Sequence, residues 1–530
     1  MGIFLNRGTE EFQRMLNSTI YVDKTDMIDF FNGVINTEQS YICVSRPRRF
    51  GKSITANMIA AYYEKGNDST VLFEGKKLSR IDGWKKQMNQ YDVIRLDMAD
   101  LVSSNDTPQL AFAYLINGLL EELETVFSSV QREETDGVAD YLAKINDAIG
   151  AQFVIIIDEW DCFFRDDKSN QELQQKYINL LRSLFKGNRA KKFTALAYIT
   201  GILPIKKYNS ESALNNFYEY TMTSPKKLAK YIGFTDEEVR SLCEQYHMDY
   251  EKAKEWYDGY SFTRAQHIYG PASIVQAMLS EEYENYWSKT VAFNSLTNYI
   301  TMNFDGLKDA IVSMFGGNRV KVRVDTYQND MVSFKNKDDV LTVLIHLGYL
   351  AYDAEKKEGY IPNKEVRESF EYALEETDWK EVVTAIENSE ALLEATLNLD
   401  EEEVARKVEE CHMQNTSILK YHDENSLSCV ITLAYYTARN QYHIVRELPA
   451  GRGFADLVFV PKRNVDLPAV IVELKWKESV ETAITQIKDN KYVKGLDGYH
   501  GKVLLVGISY EKVKGEGNKE HHCRIEEMQI

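Results

Sequence analysis

Lys52 and Ser53 close a loop, Ser45-Arg46-Pro47-Arg48-Arg49-Phe50-Gly51, that leaves the apolar run Tyr41-Ile42-Cys43-Val44 and enters the helical stretch Ile54 to Tyr63. Strand, loop and helix in that order aim backbone N–H groups and a helix N-terminus at one point, which is an arrangement for binding phosphates. Lys52 would reach the outer phosphates and Ser53 would ligate magnesium, while Arg48, Arg49, Phe50 and Gly51 would wrap the phosphate chain. In the usual spacing, G-x-x-x-x-G-K-S/T, a glycine stands where this chain has Arg46. With Pro47 behind it, the loop is stiffer and carries three arginines.

A second cluster lies about a hundred residues on. Phe153-Val154-Ile155-Ile156-Ile157 ends in Asp158-Glu159-Trp160-Asp161. An acid at such a strand end can hold the magnesium of a bound nucleotide, and an adjacent glutamate can polarise the attacking water. Asp158 takes the first role and Glu159 the second, with Asp161 next in line as base. A third run, Ala195 to Gly201, places Thr200 where a hydroxyl can sense the γ-phosphate. Together the three runs point to ATP or GTP, with ATP the expected nucleotide and Mg²⁺ the expected ion.

These motifs, with Tyr21-Val22-Asp23-Lys24-Thr25, Trp256-Tyr257-Asp258-Gly259-Tyr260-Ser261-Phe262 and Pro362-Asn363-Lys364-Glu365-Val366, resemble the bacterial AAA-ATPase-like family whose members also carry a C-terminal PD-(D/E)XK nuclease-like domain. The likeness spans nearly the whole chain, and Trp160 stands at a place associated with Tyr.

The C-terminal region bears the second half of that likeness. Asp456 precedes the strand Leu457–Val460, and Ala469 to Lys475 forms another that ends Glu473-Leu474-Lys475. Side chains alternate along a strand, so Glu473 and Lys475 share a face. Two carboxylates, Asp456 and Glu473, can hold magnesium, and Lys475 can orient the water that the ion activates. Ala455 stands where the motif has Pro. Glu424 resembles the helical glutamate that completes such sites, with Glu447 and Gln486 as weaker candidates.

The elements that must position these residues follow from the patterning. Short β-branched runs alternating with helical stretches up to residue 225 read as an α/β core with a parallel sheet. Residues 226–370, rich in Tyr, Trp and Lys, read as a helical lid in which the Trp256–Phe262 stretch is a turn locking lid to core. Residues 371–410 hold 14 acidic against 3 basic side chains, and 371–415 read as an acidic amphipathic connector. Residues 416–530 form a small α/β restriction-endonuclease-like unit with a helix over Leu427–Asn440 and a mobile C-terminus that includes His521-His522-Cys523.

The 530 residues carry 44% hydrophobic and 27% charged side chains, which excludes disorder. A net charge of −18 excludes a protein that coats nucleic acid or anionic membrane with its whole surface. Six scattered cysteines without metal spacing fit a reducing compartment, and the absence of a signal pattern or spanning segment points to the cytoplasm without membrane attachment. The expected function is a magnesium-dependent ATPase that gates or powers a nuclease acting on DNA or RNA. The alternative is a nucleotide-driven conformational switch whose C-terminal module binds a partner and cuts nothing.

Overall fold

The computed structural model describes residues 2–167, 170–205, 214–231, 233–287, 293–302, 304–315, 317–328, 333–375, 377, 388–415, 431, 434–450, 453–462, 465–476, 478–489, 492, 496, 499–512 and 519–530. Two compact units divide the chain: Met1–Ala292 with Lys321–Arg367, and Phe293–Val320 with Glu368–Ile530.

In the first unit the four β-branched runs become β1 (Tyr41–Ser45), β2 (Asp92–Asp97), β3 (Phe153–Asp158) and β4 (Thr194–Gly201), and a short strand that the patterning does not announce, β5 (Tyr218–Tyr220), joins them. All pair in parallel, in the order β2-β3-β4-β1-β5. Parallel strands covered on both faces must be apolar on both, hence the unbroken run of β3. Ile155, Ile156 and Ile157 are fully buried, each contributing about 1.5–3 kcal/mol. The register aligns Asp97 with Asp158, Ile157 with Ile199, and Val44 with Thr200. Ser45, Asp97, Asp158 and Gly201 therefore share the C-terminal edge, where ligands bind in α/β sheets. Gly51, at φ 77°, turns the chain after β1 and caps the buried helix Lys52–Tyr63.

The stretch expected to be a helical lid also contains strand. β6 (Phe234–Thr235), β7 (Tyr260–Phe262) and β8 (Ala265–Tyr269) form a sheet in the order β6-β8-β7. Helical patterning misses β7 and β8 because they are short, aromatic-rich and joined by only two residues. After β9 (Val320–Lys321), the strands β10 (Ala351–Asp353) and β11 (Glu358–Tyr360) make a hairpin.

The aromatic stretch does act as a lock. The Tyr260 hydroxyl donates to the Gly348 carbonyl at 2.5 Å, and its ring meets Phe50 edge-on at 5.3 Å. Gly348 packs so close to Pro47 that a Cβ would come within 2.7 Å. The buried Glu365 carboxylate accepts from the Tyr286 and Trp287 amides and the Ser273 hydroxyl at 2.9–3.0 Å. The Trp256–Phe262 and Pro362–Val366 motifs thus brace the phosphate loop from behind.

In the second unit, β12 (Tyr442–Ala450), β13 (Gly453–Pro461), β14 (Ala469–Trp476), β15 (Lys502–Lys512) and β16 (Lys519–Gln529) form one mixed sheet in that order, with only β14 and β15 parallel. Helix Val480–Asp489 lies against it, with Ile484 and Ile487 in its core. Three expectations change here. The terminus expected to be mobile is β16, paired along its whole length with β15, and His521 is buried. The helix expected over Leu427–Asn440 ends as a 3-10 turn, Tyr436–Asn440, while 427–430 and 432–433 lie outside the described residues. The acidic segment is no free connector, because Leu392, Leu393, Val404, Val408 and Cys411 join the core that contains Tyr435, Phe459, Val470 and Val472. On the helices Ser389–Leu397 and Glu401–Asn415 the acidic side chains lie away from these buried positions, which are core.

One glycine tests the brace. Gly259 has φ 123°, and a Cβ there would come within 2.0 Å of the Pro362 carbonyl oxygen. Gly259→Ala should destabilise the first unit by about 3 kcal/mol, whereas Gly75→Ala, also at positive φ but facing open space, should cost only about 1 kcal/mol. Urea unfolding of both variants would separate steric from conformational cost; equal midpoints would contradict the close approach.

Candidate functional site

The loop after β1 is fixed from beneath. Arg46, in the place of the usual first glycine, is fully buried, and its Nη1 donates to the carbonyls of Ser45 at 2.8 Å and Tyr220 at 3.0 Å. Burial pulls its pKa down to about 10. Its side chain threads under the sheet and takes no part in the phosphate cradle. Phe50 is likewise buried, packed on Tyr260 and Trp287, so it can offer phosphate its backbone alone. Arg48, Arg49 and Ser53 are exposed, and a Cβ on Gly51 would meet nothing within 4 Å. The loop presents an open concave face.

Lys52 is buried, and its Nζ donates to the carbonyls of Pro47 at 2.8 Å and Arg46 at 3.1 Å. Burial lowers its pKa to about 8, although Glu159, Asp158 and Asp161 favour the charged form. An ammonium held on two loop carbonyls can turn to phosphate oxygens without crossing the site.

Asp158 sits at the end of β3, buried, with Oδ1 accepting from the Glu159 amide at 3.0 Å. Burial pushes its pKa up to about 6, against the pull of the Ser53 hydroxyl and the Lys52 charge. Its Oδ2 has no hydrogen-bond partner among the described residues. A buried carboxylate oxygen in that state, beside a serine hydroxyl, fits a hard divalent ion such as magnesium.

Glu159 adopts φ 52°, a region that non-glycine residues seldom enter, and pairs with Arg165 Nη2. Burial would raise its pKa, but the Arg165 charge and hydrogen bond, with Lys52 and Arg48 behind them, hold it below the ordinary value. Asp161, the reserve base, is unsuited to that work: its Oδ2 accepts from the Ile202 and Leu203 amides at 3.1 and 2.9 Å, and its Oδ1 from Arg165 at 3.2 Å. Thr200 is buried between β1 and β3 at the end of β4, and its carbonyl accepts from the Trp160 amide at 2.9 Å.

Arg48, Arg49, Phe50, Gly51, Lys52, Ser53 and Glu159 all line one cavity of about 1110 Å³; Asp158 and Thr200 are not part of its wall. Three groups of residues in the wall escaped sequence reasoning. Arg165 stands at the phosphate end. Ile20, Tyr21 and Val22 from the N-terminal stretch, and Tyr231, Phe234, Pro271, Val275 and Leu279 from farther along the chain, add apolar wall suited to a nucleobase. The neighbouring Lys24 explains how that stretch is held: it donates to Glu238 and to the Lys230 carbonyl, both at 2.6 Å. Only the distinctiveness of the Tyr21–Thr25 string hinted at a role.

In the second unit Asp456 on β13 lies one residue beyond the Leu457–Val472 pair of the β13–β14 ladder, and its Oδ2 accepts from the Leu474 amide at 2.8 Å. Glu473 and Lys475 project to the same side, with Nζ to Oε1 at 3.0 Å, as alternation requires. Glu473 is 2% exposed; burial and then the charge of Asp456 raise its pKa to about 7. Its Oε2 has no hydrogen-bond partner among the described residues. This paired, desolvated carboxylate set fits a divalent cation that keeps several waters. Among the described residues no three acidic, His or Cys side chains group as a full metal shell. Glu424 lies outside the described residues, as does the Glu447 side chain, and Gln486 donates to the Tyr492 hydroxyl at 3.0 Å.

Comparison with known proteins agrees with this architecture. Residues 6–209 match the family model described as "Predicted AAA-ATPase", and residues 422–520 match the PD-(D/E)XK nuclease superfamily. An "Uncharacterized protein in vnfD 5'region" from Azotobacter chroococcum mcd 1 is 24% identical over 290 residues, 53% of this chain and 52% of the relative. The chain thus spans about half the length of the curated relative it matches. The Aeropyrum pernix Orc1 protein, solved in complex with DNA, aligns over 70% of this chain and 97% of its own at 11% identity, with a TM-score of 0.26. A superposition that loose carries no functional inference.

Replacing the loop lysine tests the cradle. Lys52→Ala removes the one point charge fixed at the helix N-terminus, and ATP affinity should fall by at least about tenfold, since Arg48 and Arg49 are less constrained. Titration calorimetry showing parental affinity would remove Lys52 from the phosphate site.

Proposed function

Since one chain carries both an AAA-ATPase-like domain and a PD-(D/E)XK nuclease-superfamily domain, we propose that it is a magnesium-dependent ATPase that gates or powers cleavage of DNA or RNA at its C-terminal site. The observation that carries the first half is the convergence of Lys52, Ser53 and Glu159 on one cavity, with the partnerless Asp158 oxygen beneath it.

In this reading the Arg48–Gly51 backbone cradles the phosphates, Lys52 neutralises the outer ones, and Ser53 and Asp158 hold magnesium. The ion supplies charge neutralisation across the outer phosphates. Glu159 accepts a proton from the attacking water and Thr200 reports the γ-phosphate from below. The apolar wall takes the base, and ATP is the nucleotide. At the second site Asp456 and Glu473, with Glu424, hold the metal, and Lys475 orients the water. The proposed domain limits are 1–225, 226–370, 371–415 and 416–530, the third part packing on the core of the fourth. We assign the protein to the cytoplasm; among the described residues no helix is long and apolar enough to cross a membrane.

Each half has its own test. Glu159→Gln should retain ATP while phosphate release falls by roughly 10²–10⁴-fold, the scale of general-base catalysis. Release at the parental rate would locate the base elsewhere.

Asp456→Asn and Lys475→Ala should each abolish metal-dependent cleavage of nucleic acid and leave ATP turnover intact. The asparagine still accepts from the Leu474 amide, so its stability should change by no more than about 1 kcal/mol. Excess Mn²⁺ should partly rescue Asp456→Asn but not Lys475→Ala, because the metal can be made to bind yet the ammonium cannot be replaced. If the parent protein cuts neither DNA nor RNA with any divalent ion and nucleotide, the conformational-switch reading takes its place.

A further inference from the structure

Arg165 is the cavity cation that no motif announces. It projects from the short helix Cys162–Asp166 into the wall shared with Lys52 and Glu159, and its side chain is 5% exposed. Among its described partners are two carboxylates, Glu159 through Nη2 and Asp161 through Nη1. These two differ in freedom. Asp161 is fully buried and tied to two backbone amides, and a Cβ on Gly201 would come within 2.7 Å of it. Glu159 is 22% exposed on its side chain and lines the open cavity. Arg165 is therefore anchored on one side and held by a releasable partner on the other.

The arrangement also sets a problem for hydrolysis. While the pair holds, the Arg165 guanidinium occupies Glu159 Oε2, and that oxygen is not available to an attacking water. A triphosphate arriving at Lys52 adds several negative charges to a low-dielectric site and competes with Glu159 for the same guanidinium.

We propose that Arg165 is a catalytic arginine acting in cis: the nucleotide-free protein parks it on Glu159, and the γ-phosphate draws it off, freeing Glu159 for the attacking water. This rests on the ATPase reading above and adds to it a transition-state cation. The water oxygen forms a bond to the γ-phosphorus as the bond from that phosphorus to the β–γ bridging oxygen breaks. The breaking bond's electron pair leaves with ADP, and one water proton passes to Glu159. Arg165, still held by Asp161, lies against the oxygens on which charge spreads.

The test compares Arg165→Gln and Arg165→Lys in the full-length protein, measuring phosphate release and, by calorimetry, affinity for ADP and for ADP with aluminium fluoride. Glutamine retains a hydrogen bond to Asp161, so that variant should fold. ADP has no γ-phosphate, and its affinity should stay within about twofold of the parent. Affinity for ADP with aluminium fluoride should fall by about 10²-fold or more, and turnover by about 10³-fold or more, the scale of an arginine finger. Lysine should not restore either, since a point charge cannot bridge Asp161 and the phosphate as a planar fork does.

Parental affinity for the fluoride complex in Arg165→Gln overturns the proposal. So does an equal loss for ADP and for the fluoride complex, which marks a structural ion pair. If the parent protein binds neither ligand, the ATPase reading fails and the arginine's role with it.

Discussion

Everything at the phosphate end depends on the loop being gripped from behind. A chain segment that must offer its amides outward cannot hold itself in place with them. Its rigidity comes instead from side chains that point the other way: Arg46 under β1 and β5, Pro47 against Gly348, and Phe50 in the aromatic nest of Tyr260 and Trp287. Burying a guanidinium is expensive, and the lowered pKa of Arg46 reflects that cost. A glycine there would avoid the cost, but nothing would then thread beneath the sheet to fix the loop. The motifs far down the sequence, Trp256–Phe262 and Pro362–Val366, are parts of this one grip.

Backbone strain collects at the same place. Arg49 and Glu159 both sit at positive φ, at 68° and 52°, and both line the cavity with Lys52. Such conformations persist only where surrounding structure enforces them. For Glu159 the enforcement is visible: the Asp158 carboxylate accepts from its amide, while the next residue, Trp160, is tied to the carbonyls of Thr200 and Leu203. Asp161 then closes the turn on the amides that follow β4. Four consecutive residues thus fix the direction of one carboxylate.

Much of this was legible because the physical rules involved are local. Short β-branched runs gave β1 to β4, the loop-to-helix order gave Lys52 and Ser53, and a period of two placed Glu473 beside Lys475. What the sequence hid depends on tertiary packing. The inward turn of Phe50 depends on Tyr260, more than two hundred residues away. Arg165 was visible only as a basic residue four places after Asp161, a spacing common on any helix. For β16 there was a signal, since His521, Cys523 and Ile525 alternate with polar residues, but the charge and histidines around them read as an exposed tail. The acidity of residues 371–410 likewise drew attention from the buried stripe on the same helices.

The strand order carries a consequence for the protein's synthesis. β1 is made early, yet both of its neighbours in the sheet, β4 and β5, come later, and the second is complete only at Tyr220. At roughly 5–20 residues per second, an apolar strand with two open edges waits on the order of ten to thirty seconds for its partners. Unpaired apolar edges are templates for the wrong partner, including another nascent copy on the same messenger. The nucleotide wall reaches Leu279, so the pocket is completed later still. Ligand can stabilise this domain once it has formed, but the ribosome and its chaperones must carry β1 through the interval before it.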